Sequence, residues 1–363
     1  MTQRSAPVRV LIVDDSAVMR QLLSSLLSQD PEIEVVGTAS DPHIARERIK
    51  SLNPDVITLD VEMPHMDGLT FLRKIMTLRP MPVVMISTLT QSGAETTLEA
   101  LEIGAIDFIA KPSGDHAVGL LDLAGELQNK VKAAASVRVG ARRVAAPPLA
   151  PRQPRVSRST GKFVFIGAST GGVEALKVVL MGLPADCPPT LITQHMPPRF
   201  TTGFAERLDR ECPMKVSEAV DDQTIEPGHV YIAPGSHHLE IGRSGAHYVC
   251  RLSDGPLVSG HRPSVDVLFR SAARVIGRFA VGSILTGMGK DGAEGLLELR
   301  NAGGITLGQN EESSLIYGMP RVAFERGAVM HQHALGHMAD AILDACEADT
   351  HAKAHTADGV DAA

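Results

Sequence analysis

The chain has 363 residues, 44% of them hydrophobic and 3% aromatic, with no Trp and a formal net charge of −7. That length suits two domains better than one core, and the scarcity of aromatics argues against base-stacking platforms for nucleic acid. No apolar run reaches the roughly 18 to 20 residues that span a bilayer, so no membrane insertion is expected.

The start, "MTQRSAPVRVLIVDDS", brings acids too early for a signal peptide. Cys187, Cys212, Cys250 and Cys346 follow neither a C-x-x-C nor a zinc spacing, and the spacing of His331, His333 and His337 is irregular. A cytoplasmic, reduced protein without structural metal is expected. Charge is uneven along the chain. Residues 1–132 hold 12 Lys and Arg against 18 Asp and Glu, residues 133–160 hold six Arg and no acid, and residues 161–363 hold 17 against 24. Acidic folded parts disfavour a nucleic-acid-binding output.

In chain order, "VRVLIVDD" reads as a strand and "SAVMRQLLSSLLSQ" as an amphipathic helix. "IEVVGTA", "DVITLD", "PVVMIST" and "DFIAKP" read as four more strands with helical stretches between them. Five strands alternating with helices predict a doubly wound parallel sheet of flavodoxin-like type, domain 1–132. The segment "AAASVRVGARRVAAPPLAPRQPRVSRST", residues 133–160, is rich in Ala, Pro and Arg and reads as a flexible linker. Alternation resumes with "FVFIGAS", a helix, "TLITQHM" and another helix. Residues 215–260 carry turn signals every few residues, as hairpins do. "SVDVLFRSAARVIG", "AVGSILTGMG" and "GAEGLLELRNAGG" then restore helix, strand and helix. A second, mostly parallel α/β domain of hydrolase type with an antiparallel hairpin insertion is expected over 161–347, and a disordered tail over 348–363.

Ligands of an open parallel sheet gather at the carboxyl ends of its strands. Asp14 and Asp15 follow the first strand, Asp60 ends the third, Ser87 the fourth, and Lys111 follows the fifth. Converging carboxylates repel one another, and a hard cation such as Mg²⁺ suits their oxygens. With an ammonium nearby, an incoming phosphoryl group would be neutralised while an aspartate attacks it. "LIVDDS", "LDVEMPHMDG", "MIST" and "AKPS" together resemble the receiver domain of two-component response regulators. The resemblance implies Asp60 as phospho-acceptor and Asp14 and Asp15 as metal carboxylates beside it. It also implies a metal contact from the Glu62 backbone carbonyl, and phosphate contacts from Ser87 and Lys111.

In the second domain, Gly167-Ala168-Ser169-Thr170-Gly171 fits G-x-S-x-G between a strand and a helix. A dinucleotide site would want glycine at position 169 and an acid near the end of the next strand. "TLITQHMPP" instead ends in Gln194 and His195. A serine nucleophile needs a base, and the base an orienting acid. His195 ends the second strand on the same sheet edge, and Asp291 follows a third strand leading there. His229, His237, His238, His247 and His261 fall in or near hairpin segments and read as surface or loop residues. "GASTGGVEAL", "TQHMPPRFT", "HRPSVDVLFRSAA", "LTGMGKDGAEGL" and "SSLIYGMPRVA" resemble the catalytic domain of chemotaxis protein-glutamate methylesterases.

That resemblance implies a Ser169–His195–Asp291 triad acting through an acyl-enzyme, with oxyanion donors at the Thr170 amide and near Met288. The substrates implied are γ-methyl glutamyl esters on chemoreceptors, with deamidation of receptor glutamines, and the phosphodonor a chemotaxis histidine kinase. Mg²⁺ is expected for receiver phosphorylation only. The resemblance further implies that the unphosphorylated receiver covers the hydrolase crevice. The rival is a receiver controlling a non-catalytic module that binds a nucleotide or a protein.

Overall fold

A computed structural model of the chain describes residues 6–63, 67–88, 90–111, 117–137, 139 and 161–348. They form two compact units. The first contains β1 (Val8–Val13), α1 (Ala17–Leu27), β2 (Ile33–Ala39), α2 (Pro42–Leu52), β3 (Val56–Asp60), α3 (Gly68–Leu78), β4 (Val83–Ser87), α4 (Gln91–Ile103), β5 (Asp107–Ala110) and α5 (Ala117–Ser136). The five strands pair in parallel in the order β2-β1-β3-β4-β5. Strands covered by helices on both faces read as continuous apolar runs; accordingly β3 and β4 are buried at every residue.

Side-chain caps set the helix starts. Ser16, Asp41, Asp67 and Thr90 accept backbone N–H groups of the first turns of α1 to α4, which satisfies donors a helix leaves open. α5 extends to Ser136, so the first four residues assigned to the linker are helical. Composition misled there because alanine is also the best helix former, and Ala134 is fully buried against the core of this unit. The rest of the linker, apart from Val137 and Val139, and the tail beyond Ala348 lie outside the described residues.

The second unit contains β6 (Phe163–Ala168), α6 (Gly172–Met181), β7 (Thr190–Gln194), α7 (Phe200–Glu211), β8 (Lys215–Glu218), β9 (His229–Ile232), β10 (His238–Ser244), β11 (His247–Ser253), α8 (Val265–Val275), β12 (Ala280–Ile284), α9 (Ala293–Asn301), β13 (Ile305–Gln309), α10 (Met319–Glu325), β14 (His331–His333) and α11 (Leu335–Glu347). Its seven-stranded sheet runs β14-β13-β12-β6-β7-β9-β8, every neighbouring pair parallel. Chain order departs from β6 in both directions, so the topological switch point lies between β6 and β12.

The hairpin expectation over 215–260 needs correcting. β8 and β9 pair in parallel, with β9 inside the large sheet and β8 at its edge, and only β10 and β11 form an antiparallel hairpin, as a separate two-stranded sheet. Turn signals mark where a strand ends; they do not say which neighbour it pairs with. Phe165, Ile284, Leu268, Phe269 and Leu296 are all fully buried in the core that carries α8 and α9 on the sheet. No helix among the described residues is long and apolar enough to cross a membrane.

Candidate functional site

In the first unit, β1 and β3 flank the switch point and end in acids. One oxygen from each of Asp14, Asp15 and Asp60 lies within 4.8 Å of the others, the only such acid, His and Cys group of three or more among the described residues. Lys111 Nζ donates to Asp60 Oδ2 at 2.8 Å and lies 3.3 Å from Asp14 Oδ2. Burial pushes Asp60 up to about 6 against the pull of Lys111, with Asp14 adding repulsion, and burial raises Asp14 as well.

Asp14 Oδ2 is buried and makes no well-aligned hydrogen bond, with the ion-paired Lys111 ammonium 3.3 Å away. A cluster of three carboxyl groups with one cation is under-compensated. Its hard oxygen donors therefore fit a divalent ion of the Mg²⁺ kind. Arg20 clamps the carbonyls of Asp14 and Asp15 at 2.8 and 2.9 Å. Glu62 donates its N–H to Asp60 Oδ1 at 3.2 Å. The Ser87 hydroxyl is engaged with α4: it donates to the Gly93 carbonyl and accepts from Thr97.

In the second unit, Ser169, His195 and Asp291 come from the ends of β6, β7 and the loop after β12, and they meet. His195 Nδ1 is 3.2 Å from Ser169 Oγ, and His195 Nε2 is 2.7 Å from Asp291 Oδ2. The imidazole is used the other way round from the common serine-protease arrangement, in which Nε2 faces the serine. The turn differs too. An elbow of the hydrolase kind strains its nucleophile, whereas here the positive φ of 77° falls on Gly171 and Ser169 is not among the left-handed residues. Glycine accepts that conformation at little cost.

Asp291 caps α8. Its Oδ2 accepts the Val265 N–H at 2.7 Å, and its Oδ1 accepts the Ser264 hydroxyl at 2.8 Å and the Asp266 N–H at 3.2 Å. Burial alone would raise its pKa; the His195 hydrogen bond and charge, with the Val265 and Ser264 donors, outweigh it and hold the group at about 2. Helix N-termini favour such anions. α8 approaches closely because Gly167 has no side chain: a Cβ there would lie 2.1 Å from Val265 Cγ1.

Thr286 ties the loops together. Its carbonyl accepts the Ser169 N–H at 3.0 Å, and its hydroxyl donates to the Thr170 carbonyl at 3.0 Å. Gly287 O accepts the N–H groups of Gly318 and Met319. In a trans peptide the N–H opposes the C=O, so the Met288 N–H is directed away from α10. Met288 itself is half-buried.

Four residues are placed differently from what the sequence suggests. His261, taken as a loop residue, stacks on His195 with ring centroids 3.8 Å apart and planes 15° apart. His238 is buried rather than on the surface, as is His229. Ser264 was visible only as part of a motif. No local pattern marks a histidine whose role depends on a ring 66 positions earlier.

Two parallel α/β units, the second with serine, imidazole and carboxylate at its switch point, define the response-regulator class with a hydrolase-type output unit. The family model described as the response regulator receiver domain matches residues 10–119, and that described as CheB methylesterase matches residues 164–342. A protein-glutamate methylesterase/protein-glutamine glutaminase of Caulobacter vibrioides is 58% identical over 94% of this chain and 99% of its own. One of Geobacter metallireducens is 54% identical over 92% and 94%. The crystal structure of the Thermotoga maritima CheB methylesterase catalytic domain covers 50% of this chain and 97% of its own, at 34% identity and a TM-score of 0.50. The chain belongs to the family of protein-glutamate methylesterases/protein-glutamine glutaminases, enzymes that join a receiver to a methylesterase domain. The rival reading, a non-catalytic binding module, finds no support in these relatives.

Proposed function

We propose that this chain hydrolyses γ-methyl esters of glutamate on chemoreceptors and deamidates receptor glutamines, with Ser169 as nucleophile, His195 as base and Asp291 as orienting acid. The observation that carries the reading is the bonding of one imidazole through both nitrogens, Nδ1 to Ser169 and Nε2 to Asp291. Because Asp291 is ionised at neutral pH, it accepts a hydrogen bond from the Nε2–H, which keeps that proton on Nε2 and leaves the Nδ1 lone pair facing the hydroxyl. His195 then takes the Ser169 proton as Oγ bonds to the ester carbonyl carbon. The tetrahedral oxyanion is met by the Thr170 and Met288 amides, donors of a kind worth roughly 3 to 4 kcal/mol each where measured. The C–O bond breaks, methanol leaves with the His195 proton, and water attacking under the same base frees glutamate and Ser169. With a glutamine substrate the leaving group is ammonia.

Control is assigned to Asp60 as phospho-acceptor, with a chemotaxis histidine kinase as donor. Asp14, Asp15, Asp60 and the Glu62 carbonyl would hold Mg²⁺, which supplies charge neutralisation for the incoming phosphoryl group. Lys111 pairs with Asp60 before transfer, and Ser87 reaches phosphate by rotating off Gly93. Exclusion of substrate by the unphosphorylated receiver belongs to the same proposal.

Methyl-labelled receptor membranes test the reading: volatile methanol should form, rise with a phosphodonor and vanish in Ser169→Ala. A Ser169→Ala chain that still releases methanol sinks it.

A further inference from the structure

The end of α8 that holds Asp291 is built in an unusual way. An N-cap serine ordinarily turns its oxygen inward to accept an N–H of the first turn. Ser264 makes no such bond; its hydroxyl donates outward to Asp291 Oδ1 at 2.8 Å. The carboxylate has taken the capping place, and the serine has become a donor to the carboxylate.

The N–H of an N-cap residue is often accepted by Glu or Gln three positions on. Here that position is Val267, which has no acceptor. The Ser264 N–H donates instead to Nδ1 of His238, at 3.2 Å, from strand β10. Both residues are buried, His238 3% and Ser264 0% exposed. His238 Nε2 lies 3.0 Å from the Pro256 carbonyl, which can only accept. Nε2 therefore carries the proton and Nδ1 the lone pair, so this imidazole works as a neutral ring with its tautomer set by its two neighbours.

We propose that Ser264 and His238 are positioning residues for the reaction, an inference that rests on the esterase reading above. A continuous file of hydrogen bonds runs from the Pro256 carbonyl through His238, Ser264, Asp291 and His195 to Ser169. Oδ2 of Asp291 is shared between Val265 and His195, so the carboxylate's rotation decides where His195 points. Ser264 makes the shorter of the two bonds that hold Oδ1, the other coming from the Asp266 N–H, and so helps fix that rotation, and His238 fixes Ser264. The hairpin β10–β11 thereby orients a base on a different sheet, which it touches nowhere in this file of bonds.

The test uses the full-length chain with a phosphodonor present, reading kcat and KM for methanol release. A second reading is the low-field proton of the His195–Asp291 bond in ¹⁵N-histidine spectra, identified by its loss in His195→Ala. Ser264→Ala should lower kcat about tenfold, the scale of one lost hydrogen bond to a charged group, with KM within about twofold, and should shift the proton upfield. Ser264→Thr keeps the hydroxyl and should restore both.

The two isosteres of His238 should part. Asn presents an acceptor where Nδ1 was and should stay within about threefold, whereas Gln reaches Pro256 but leaves Ser264 unpaired and should fall about tenfold. A Ser264→Ala chain with wild-type kcat and an unmoved proton overturns the proposal, as do Asn and Gln variants that fold and fall alike. Should a His238 variant fail to fold, the Ser264 pair decides. If the unaltered chain releases no methanol, the esterase reading fails, and the proton shift in Ser264→Ala, recorded without substrate, still decides this inference.

Discussion

At the scale of single residues, Asp291 and Asp60 are opposite cases of a buried carboxyl group. Asp291 has its charge stabilised by His195 and by donors from the start of α8, and sits at about 2. A folded pKa below the ordinary 3.8 means stability that is present above that value and is lost as pH falls towards 2. Asp291→Asn should accordingly lose less stability than the unaltered chain between pH 4 and 2 in acid titrations of melting temperature. It should also lose about 10³-fold or more in kcat, since an amide that donates to Nε2 favours the wrong tautomer.

Asp60 is raised to about 6 by burial and Asp14, Lys111 notwithstanding. The folded carboxyl holds its proton more tightly than the unfolded one. Its ionised form therefore destabilises the fold fully above about pH 6, and the penalty fades towards pH 4. Asp60→Asn should melt higher than the unaltered chain at pH 7.5, with the gap closing towards pH 4. Millimolar Mg²⁺ should raise the melting temperature of the unaltered chain at pH 7.5 and move Asp60→Asn less. Equal shifts in the two proteins would count against Asp60 as a metal ligand.

At the scale of elements, the esterase geometry depends on how closely α8 descends on β6. Val265, the first residue of α8, rests where a side chain at 167 would be. Gly167→Ala should force the two apart, costing about 1–3 kcal/mol in denaturant unfolding and lowering kcat, because the helix carries the donors that hold Asp291. Val265→Ala in the same chain should recover part of both losses, since it removes the colliding methyl groups. Purely additive effects would mean that the contact does not transmit to the site.

At the scale of the whole molecule, the prediction concerns control. A fragment starting near residue 155 should demethylate receptors faster than the unphosphorylated full chain and should ignore phosphodonors. Equal rates would remove the intramolecular blockade. Each tenfold change between closed and open populations requires about 1.4 kcal/mol of differential stabilisation on phosphorylation.

Much of this was legible in the residue order. Strand ends carrying Asp14, Asp60, Ser169 and His195 stood out because a parallel sheet presents whatever follows its strands on one edge, and β-branched runs between amphipathic stretches revealed both sheets. Helical continuation into Ala133–Ser136 did not stand out, because an alanine run reads alike as spacer and as helix until something packs on it. The parallel sense of β8 and β9 was hidden for a related reason: a strand's partner lies elsewhere in the chain.

By itself, then, the sequence determined the two α/β units, their order, the acidic pocket of the first and the serine, histidine and aspartate of the second. Only the tertiary structure decided which imidazole nitrogen faces which partner, that Asp291 serves as the cap of α8, that His261 lies over His195, and that His238 supports Ser264. These are contacts between residues 26 to 96 positions apart. Local spacing encodes helix and strand period, but the rotation of a carboxylate or a ring is set by donors that arrive from distant elements once the chain has packed.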